Sequence, residues 1–547
     1  MLKLRDEHYR YAALGILAIM LVMILYTFLD YGVTWDEELQ SQYGQAVADY
    51  YASGFKDMRY AEIFNLYLYG GMFDGLAAVV DRFSPLRIYD TRHLLNALFG
   101  LLGLWGVWRV GRLLGGSAAG LVALILCAAT PMYYGHMFNN PKDIPFAAGI
   151  VWTAYFMTRA YAKPRLETLV KLGIVLGLTL GVRVGGTMIF AFWLAPMGFV
   201  ALLPLVKHCD AATVRTVAFD VWDKAWRVVL PVAMLGYAVM LICWPWAQQH
   251  PILNPLRALS EFSNFPQVVE VLLNGTSYLS TQLPWYYVPL YFGIQLPILL
   301  LALLATAFVL MPKIWPHFTL PQKQGFTLLV LMASFPIIYA ILRHPALYDT
   351  VRHFLFAVPL VCIIAGIASR AAVTLCVAQF RQNWSRSAVG VGLGVAFLLF
   401  IGLQIHTMSQ LHPYEYIFAN NLIGGVRGAY GRYESDYWGS SFKEAAQDIQ
   451  NLVASEGGVP PGKIFKVAIC GPWDSAMIYL PPDYEPVVAN EPAEFFLSTT
   501  RWMCQNMRPG KEVIRVERMG VPLSIVKDLR GGYEHYEGNE HESKNKK

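Results

Sequence analysis

The sequence predicts an α-helical polytopic membrane protein with a small α/β domain outside the membrane at its C-terminal end. Three observations predict it. Of 547 residues, 56% are hydrophobic and only 15% charged, where a soluble domain carries about 25% charged residues; the mean hydropathy is +0.40. Apolar windows long enough to cross a bilayer recur up to residue 405. From about residue 406 the apolar windows give way to mixed sequence with short helix and strand patterns.

The windows fall at 11–29, 94–113, 117–134, 144–161, 168–182, 184–206, 228–245, 286–311, 325–342, 354–376 and 387–405, so about eleven transmembrane helices are expected. The first has no small-residue cleavage site after it and is read as an uncleaved helix rather than a signal peptide. The net charge of +5 comes from Lys and Arg in alternate short loops, a topogenic signal and not a nucleic-acid footprint. Arg109 and Arg112, Arg159 to Lys171, Lys207 to Arg227, Lys313 and Lys323, and Arg370 to Arg386 mark the cytoplasmic loops. The other loops (30–93, 135–143, 246–285 and 343–353) and the region 406–547 then face the opposite side. Every polar motif of chemical interest falls on that one face.

In the first outer loop, Glu38–Tyr51 and Ile63–Val80 read as amphipathic helices in the interface. In the C-terminal region, Ser441–Ala454 reads as a helix, Lys463–Cys470 as a strand, and Val513–Arg518 with Leu523–Lys527 as a hairpin about Met519-Gly520. This gives three parts: 1–405 in the membrane, 406–530 as an extracytoplasmic α/β domain, and a charged tail, 531–547, expected to be disordered. Five of the seven cysteines (Cys127, Cys209, Cys243, Cys362 and Cys376) lie in or near apolar stretches and act there as small apolar residues. Cys470 and Cys504 pair if their region faces an oxidising compartment.

The candidate functional residues sit on the outer loops. In Tyr31-Gly-Val-Thr-Trp-Asp-Glu-Glu38, Asp36 and Glu37 place two carboxylates just past the first span. They read either as a base at the membrane surface or as part of a capping box with Thr34, and the two readings are compatible. Asn139-Asn-Pro-Lys-Asp-Ile-Pro145 opens the fourth span: Asp143 reads as an N-cap, while Lys142 beside it has no reason from the bilayer. Arg183 interrupts an apolar stretch, Arg92 precedes the second span, and Arg343 and Arg352 flank the loop before the tenth. Several arginines on one face suit an anionic headgroup. Tyr348, Asp349 and His353 share that last loop; if Asp349 starts a helix, it and Arg352 lie on one face and pair. His344 and His353 do not have metal-ligand spacing. The interleaved aromatic and acidic segment Tyr430–Gly439 reads as a sugar-stacking surface or as packing against the membrane. There is no phosphate-binding Walker loop, dinucleotide Gly fingerprint or Gly-x-Ser-x-Gly, which disfavours nucleotide use and serine hydrolysis.

Taken in order, the Asp36-Glu37 pair, Arg92-His-Leu-Leu-Asn-Ala-Leu-Phe-Gly, Arg109-Val-Gly-Arg-Leu-Leu-Gly, Asp143-x-Pro and Tyr348-Asp-Thr-Val-Arg-His-Phe-Leu-Phe resemble the polytopic lipid-linked-sugar glycosyltransferases. The specific group is the protein O-mannosyltransferase and aminoarabinose-transferase-like one (glycosyltransferase family 39, C-type fold). The resemblance implies an inverting hexosyl- or pentosyltransferase. It would move a sugar from a polyprenyl-phosphate donor to a protein, lipid or glycan acceptor on the non-cytoplasmic face of a membrane such as the bacterial inner membrane. It implies Asp36 as base or acceptor-positioning carboxylate and Asp143 as a second acidic residue. Glu37 is grouped with them as catalytic, Arg92, Lys142, Arg183 and Arg352 as phosphate ligands, and Tyr348, Asp349 and His353 as sugar or acceptor contacts. Many relatives have Lys where Arg183 stands. No metal site is expected among these residues, although a divalent cation is left open, and no nucleic-acid partner is expected. The rival class is a transporter or flippase for a lipid-linked or anionic substrate, which favours inverted repeats and broken helices near midplane; the sequence shows no internal repeat. A scaffold displaying the C-terminal domain leaves the outer-face acids and cations without a reason.

Overall fold

The computed structural model describes residues 6–207, 210–263, 267–380 and 383–532. Helices stand at all eleven apolar windows, but they are not equal. Among the described residues eight are long and apolar enough to cross a membrane, or nine if the bent pair Ser117–Ala128 and Pro131–Asn139, broken at 64°, is one span. The remaining two are Asp143–Ala162 and Leu166–Leu180. The first is almost wholly buried inside the bundle and carries Trp, Tyr and Thr instead of a lipid-facing surface. The second has 15 residues, about 22 Å of helix against a hydrocarbon core of about 30 Å. The expected count of eleven is therefore eight to nine by length and apolarity, while the fold class stands.

The helices of the bundle approach closely where small residues meet. Gly111 of helix Ile88–Gly115 lies against Gly120 of Ser117–Ala128, and a Cβ added at Gly111 would meet the Gly120 Cα at 2.9 Å. Lipid offers no hydrophobic drive between helices, so such backbone contact is what holds them.

The first outer loop folds as helices Glu37–Ala52 and Met72–Asp81 joined by short 3₁₀ turns. They bury Tyr43, Val47, Tyr50, Tyr60 and Leu66 in a core of their own, so they pack on each other and are not simply laid on the interface. The second amphipathic segment begins as 3₁₀ turn, not helix, because Gly70-Gly71 interrupts it: a Cβ on Gly70 would strike the Gly181 backbone.

Two further sheets lie outside the membrane helices. A hairpin of β1 (Glu270–Leu273) and β2 (Thr276–Leu279) stands in the loop before the eighth window. The C-terminal domain has β3 (Phe465–Cys470), β4 (Tyr484–Val488), β5 (Phe495–Thr499), β6 (Lys511–Arg518) and β7 (Val521–Asp528) in the order β4-β3-β5-β7-β6. Strands β4, β3 and β5 run parallel, and β7 and β6 are antiparallel. Helix Phe442–Ser455 buries Phe442, Ala445, Ile449 and Val453 against the sheet core. The β6–β7 turn falls at Met519-Gly520, both at positive φ (52° and 76°), the conformation a two-residue hairpin favours. The disulfide Cys470–Cys504 joins the end of β3 to the segment after β5, with Cα atoms 5.8 Å apart. The expectations for Cys209 and for the tail beyond Gly532 fall outside the described residues.

Candidate active site

The outer loops converge on one cavity of about 280 Å³. Its wall includes Trp35 and Asp36 from the first outer loop, Lys142 and Arg183 from two later turns, Tyr348, Asp349, Arg352 and His353 from the loop 343–353, and Tyr437, Trp438, Arg501 and Trp502 from the C-terminal region. Loops that sequence spacing assigned to one face thus share one site. Among the described residues, the loops expected on the cytoplasmic side contribute nothing to it.

Asp36 is held by the first turn of helix Glu37–Ala52, at the residue before its start, and its carboxylate makes no cap bond. The capping box expected of Thr34 and Glu37 does not form either, since Asp36 takes the N-cap position and Glu37 ties back to the chain before the helix. The Thr34 N–H donates to Glu37 Oε2 at 2.8 Å and the Thr34 hydroxyl at 3.1 Å, while His93 Nε2 sits 3.0 Å from Glu37 Oε1. Glu37 is 1% exposed and does not line the cavity; its place is structural. Asp36 is free to face Arg352, at 3.2 Å. Burial raises the Asp36 pKa, but the charges of Arg352 and Lys142 outweigh it and hold the carboxyl below its ordinary range.

Asp143 is the first residue of its helix and not its cap: Asn140 Oδ1 accepts from the Asp143 N–H at 3.0 Å, and Asn140 Nδ2 donates to Asp143 Oδ2 at 2.9 Å. The Asp143 carboxylate pairs with Arg183 at 2.7 Å and lies behind the cavity wall, 3% exposed. It positions Arg183. Lys142, one residue earlier, projects into the cavity over the Tyr69 ring at 4.2 Å. Among the described residues no carboxylate pairs with it, in contrast to Arg183, Arg352 and Arg501. Burial pulls the Lys142 ammonium below its usual pKa, against the opposing pull of Asp36 and Asp74.

Asp349 and Arg352 pair at 2.9 Å as expected, but through a turn and not a helix start. Asp349 and Thr350 are both left-handed, at φ 54° and 62°, a conformation non-glycine residues hold only where their surroundings enforce it. Arg501 enforces it, reaching Asp349 Oδ1 at 2.8 Å and Glu434 at 2.8 Å. The Nε atoms of Arg183 and Arg352 and the Nδ1 of His353 are buried without a hydrogen-bond partner among the described residues. Burial, followed by the charges of Arg352 and Arg183, pushes His353 down to about 3, so its ring is neutral at working pH.

Arg92 is not part of this constellation. It is 2% exposed and locked to Asp74 at 2.6 Å, and the cavity wall does not include it. Arg343 ends its helix on the surface, also away from the wall. Tyr437 and Trp438, from the aromatic segment, do line the cavity but are 2% and 3% exposed; Trp438 packs on His136 and under Arg352. Sequence reasoning missed Arg501, Trp502, Trp35 and Tyr69. The signal for the first two was their position beside Cys504, the cysteine expected to pair. Among the described residues no group of three His, Cys, Asp or Glu side chains is arranged to hold a metal ion.

The chain is similar in fold to the crystal structure of ArnT from Cupriavidus metallidurans bound to undecaprenyl phosphate (12% identity, 96% of this chain and 99% of that one, TM-score 0.44) and to its apo form (14%, 94% and 98%, 0.45). It is also similar to the Archaeoglobus fulgidus oligosaccharyltransferase in the apo form (12%, 89% and 69%, 0.48). No curated protein is matched in sequence. Residues 91–219 match the family of dolichyl-phosphate-mannose-protein mannosyltransferases, the family that this chain resembles over that segment.

Proposed function

We propose that the protein is an inverting glycosyltransferase that takes a sugar from a polyprenyl-phosphate donor and passes it to a hydroxyl acceptor on the non-cytoplasmic face. The observation that carries this is Lys142: a cavity ammonium with no carboxylate at ion-pair distance among the described residues, in the same wall as Arg183 and Asp36. A buried cation that is only partly offset by more distant carboxylates carries a desolvation cost, and an anionic ligand reduces that cost. The family matched by residues 91–219 acts, by its name, on a dolichyl-phosphate sugar and a protein.

In this reading the donor phosphate lies against Lys142, Arg183 and Arg352, with Asp143 fixing Arg183. The acceptor oxygen bonds to the anomeric carbon as the bond from that carbon to the phosphate oxygen breaks. The electron pair leaves with the phosphate, whose growing charge the cations stabilise. The acceptor proton passes to Asp36. A carboxylate held below its ordinary pKa is a weak base, so Asp36 first orients the hydroxyl and accepts the proton late. No carboxylate nucleophile is needed. Tyr348, Asp349 and His353 line the acceptor or sugar side. The Cys470–Cys504 disulfide supports an oxidising, extracytoplasmic location for the C-terminal domain, with the N-terminus cytoplasmic.

The test is transfer of radiolabel from polyprenyl-phosphate sugars by the purified full chain in nanodiscs, supplied with membrane protein, lipid and glycan acceptors. Label should move to one acceptor class with release of polyprenyl phosphate, and Lys142→Gln should raise the donor concentration required. Movement of intact donor between leaflets without bond cleavage would favour a transporter instead.

A further inference from the structure

A short strap of the C-terminal domain joins Tyr437 and Trp438 in the cavity wall. Strand β5 ends at Thr499, Arg501 is anchored by Asp349 and Glu434, and Cys504 is tied to Cys470. Between the two anchors Trp502 and Met503 are both left-handed, at φ 56° and 58°. Non-glycine residues hold this conformation where the surrounding structure over-determines it, which is common at ligand clamps. The Trp502 indole N–H donates to the Glu270 carbonyl at 3.0 Å, fixing the ring's direction. Arg501 stacks on the same ring, 4.5 Å from its centre.

What the strap holds in place is an incompletely covered indole. Trp502 is 42% exposed and Trp35 is 41% exposed, whereas Trp438 in the same wall is 3% exposed. The Trp35 and Trp502 rings meet edge to face, with centres 5.9 Å apart at 84°. Trp35 adjoins Asp36 in sequence, and both indoles share the cavity wall with that proposed base. Two indoles set near right angles, with the Arg501 guanidinium beside them, present an aromatic and a polar surface to one small volume. That combination suits a pyranose, whose C–H face is apolar and whose rim is hydroxylated. The contacts fix the rings' orientation and leave part of each surface uncovered in the cavity wall, where a ligand can stack on it.

We propose that Trp35 and Trp502 form the subsite for the pyranose ring of the lipid-linked donor, so that the C-terminal domain supplies one wall of the sugar site. This rests on the reading of the cavity as a polyprenyl-phosphate site. It separates two contributions to donor binding: Lys142, Arg183 and Arg352 hold the phosphate, and the indoles hold the sugar. It also gives the C-terminal domain a part in choosing the donor, and makes the disulfide a support for that part.

The experiment compares binding of two lipids to the full chain in nanodiscs: a polyprenyl-phosphate mannose, and the same polyprenyl phosphate without sugar. The wild type should bind the glycosylated lipid more tightly. Trp502→Ala should weaken that lipid about tenfold and leave the sugarless lipid unchanged, and Trp502→Phe should recover part of the loss. Trp35→Ala reads the same subsite from the membrane part, so poor folding of one variant does not remove the test. Equal binding of the two lipids by the wild type, a preference that survives both alanine variants, or an equal loss for both lipids would overturn the sugar subsite while leaving the phosphate site standing. Failure of the wild type to bind either lipid would overturn the donor-site reading itself, and the subsite with it.

Discussion

Arg501 of the C-terminal domain donates to the carboxylate of Asp349 in the last outer loop at 2.8 Å, with only 10% and 6% of the two side chains exposed. Asp349 in turn pairs with Arg352, and Arg352 with Asp36. A chain of alternating charges therefore runs from the C-terminal domain to Asp36, and the shape of the cavity depends on both ends.

Arg501→Ala leaves Asp349 with one partner and Glu434 without its cation. Breaking a buried pair on one side costs about 3–5 kcal/mol, so the C-terminal domain should loosen from the membrane part. Thermal unfolding should fall by several degrees, limited proteolysis should separate the domain more readily, and transfer should drop. Arg501→Lys should keep part of each, since a point charge replaces a forked contact imperfectly. An unchanged melting profile would show that this pair does not hold the domain in place.

Arg92→Met should behave as a stability variant. Its partner Asp74 would be left buried and charged, costing about 3–5 kcal/mol, and replacing both partners by apolar residues should restore much of that loss. The dependence of transfer on donor concentration should not change in protein that remains folded. A large rise in the donor concentration needed, with unfolding unaffected, would return Arg92 to the phosphate site.

The contrast between Arg92 and Lys142 shows what sequence could and could not tell. Both were cations on the outer side, and spacing, sidedness and the apolar windows were enough to bring Asp36, Lys142, Arg183, Arg352, Asp349, Tyr348 and His353 to one face. Whether a cation already has a partner is a long-range fact: Asp74 is 18 residues from Arg92, and nothing in the local pattern marks it. The link between Thr34 and Glu37 was legible from their spacing, but not as a capping box, because the helix starts at Glu37 with Asp36 before it. The β1–β2 hairpin, β4 and β5 were not, since short strands become strands only by pairing with distant ones; β5 is buried along its whole length and lacks the alternation that marks a strand. Arg501 and Trp502 stayed hidden for the same reason.

The pH response follows from two depressed groups. Asp36 has its pKa lowered by Arg352 and Lys142 against burial, so it stays ionised and the stability it lends is lost only as pH falls through that lowered value. His353, pushed from 6.5 to about 3, stays neutral in the fold while the unfolded chain takes up a proton. Stability should therefore decline as pH falls below about 6.5, and His353→Gln should flatten that decline. The transfer rate itself should show no step near pH 6.5 from either group. Single-turnover rates measured between pH 5 and 8 check this, and a step near 6.5 abolished in His353→Gln would show that the ring titrates in the working site.

In the proposed reaction Asp36 serves the chemistry of sugar transfer; its carboxylate makes no cap bond to the helix it precedes. The most direct measurement is the single-turnover rate of labelled sugar transfer from a saturating polyprenyl-phosphate donor by Asp36→Asn, beside its donor affinity and thermal unfolding. The account predicts loss of transfer by a factor of about 10²–10⁴, the range of a positioned acid–base group, with donor affinity and unfolding close to wild type. Near-wild-type turnover in Asp36→Asn would contradict it.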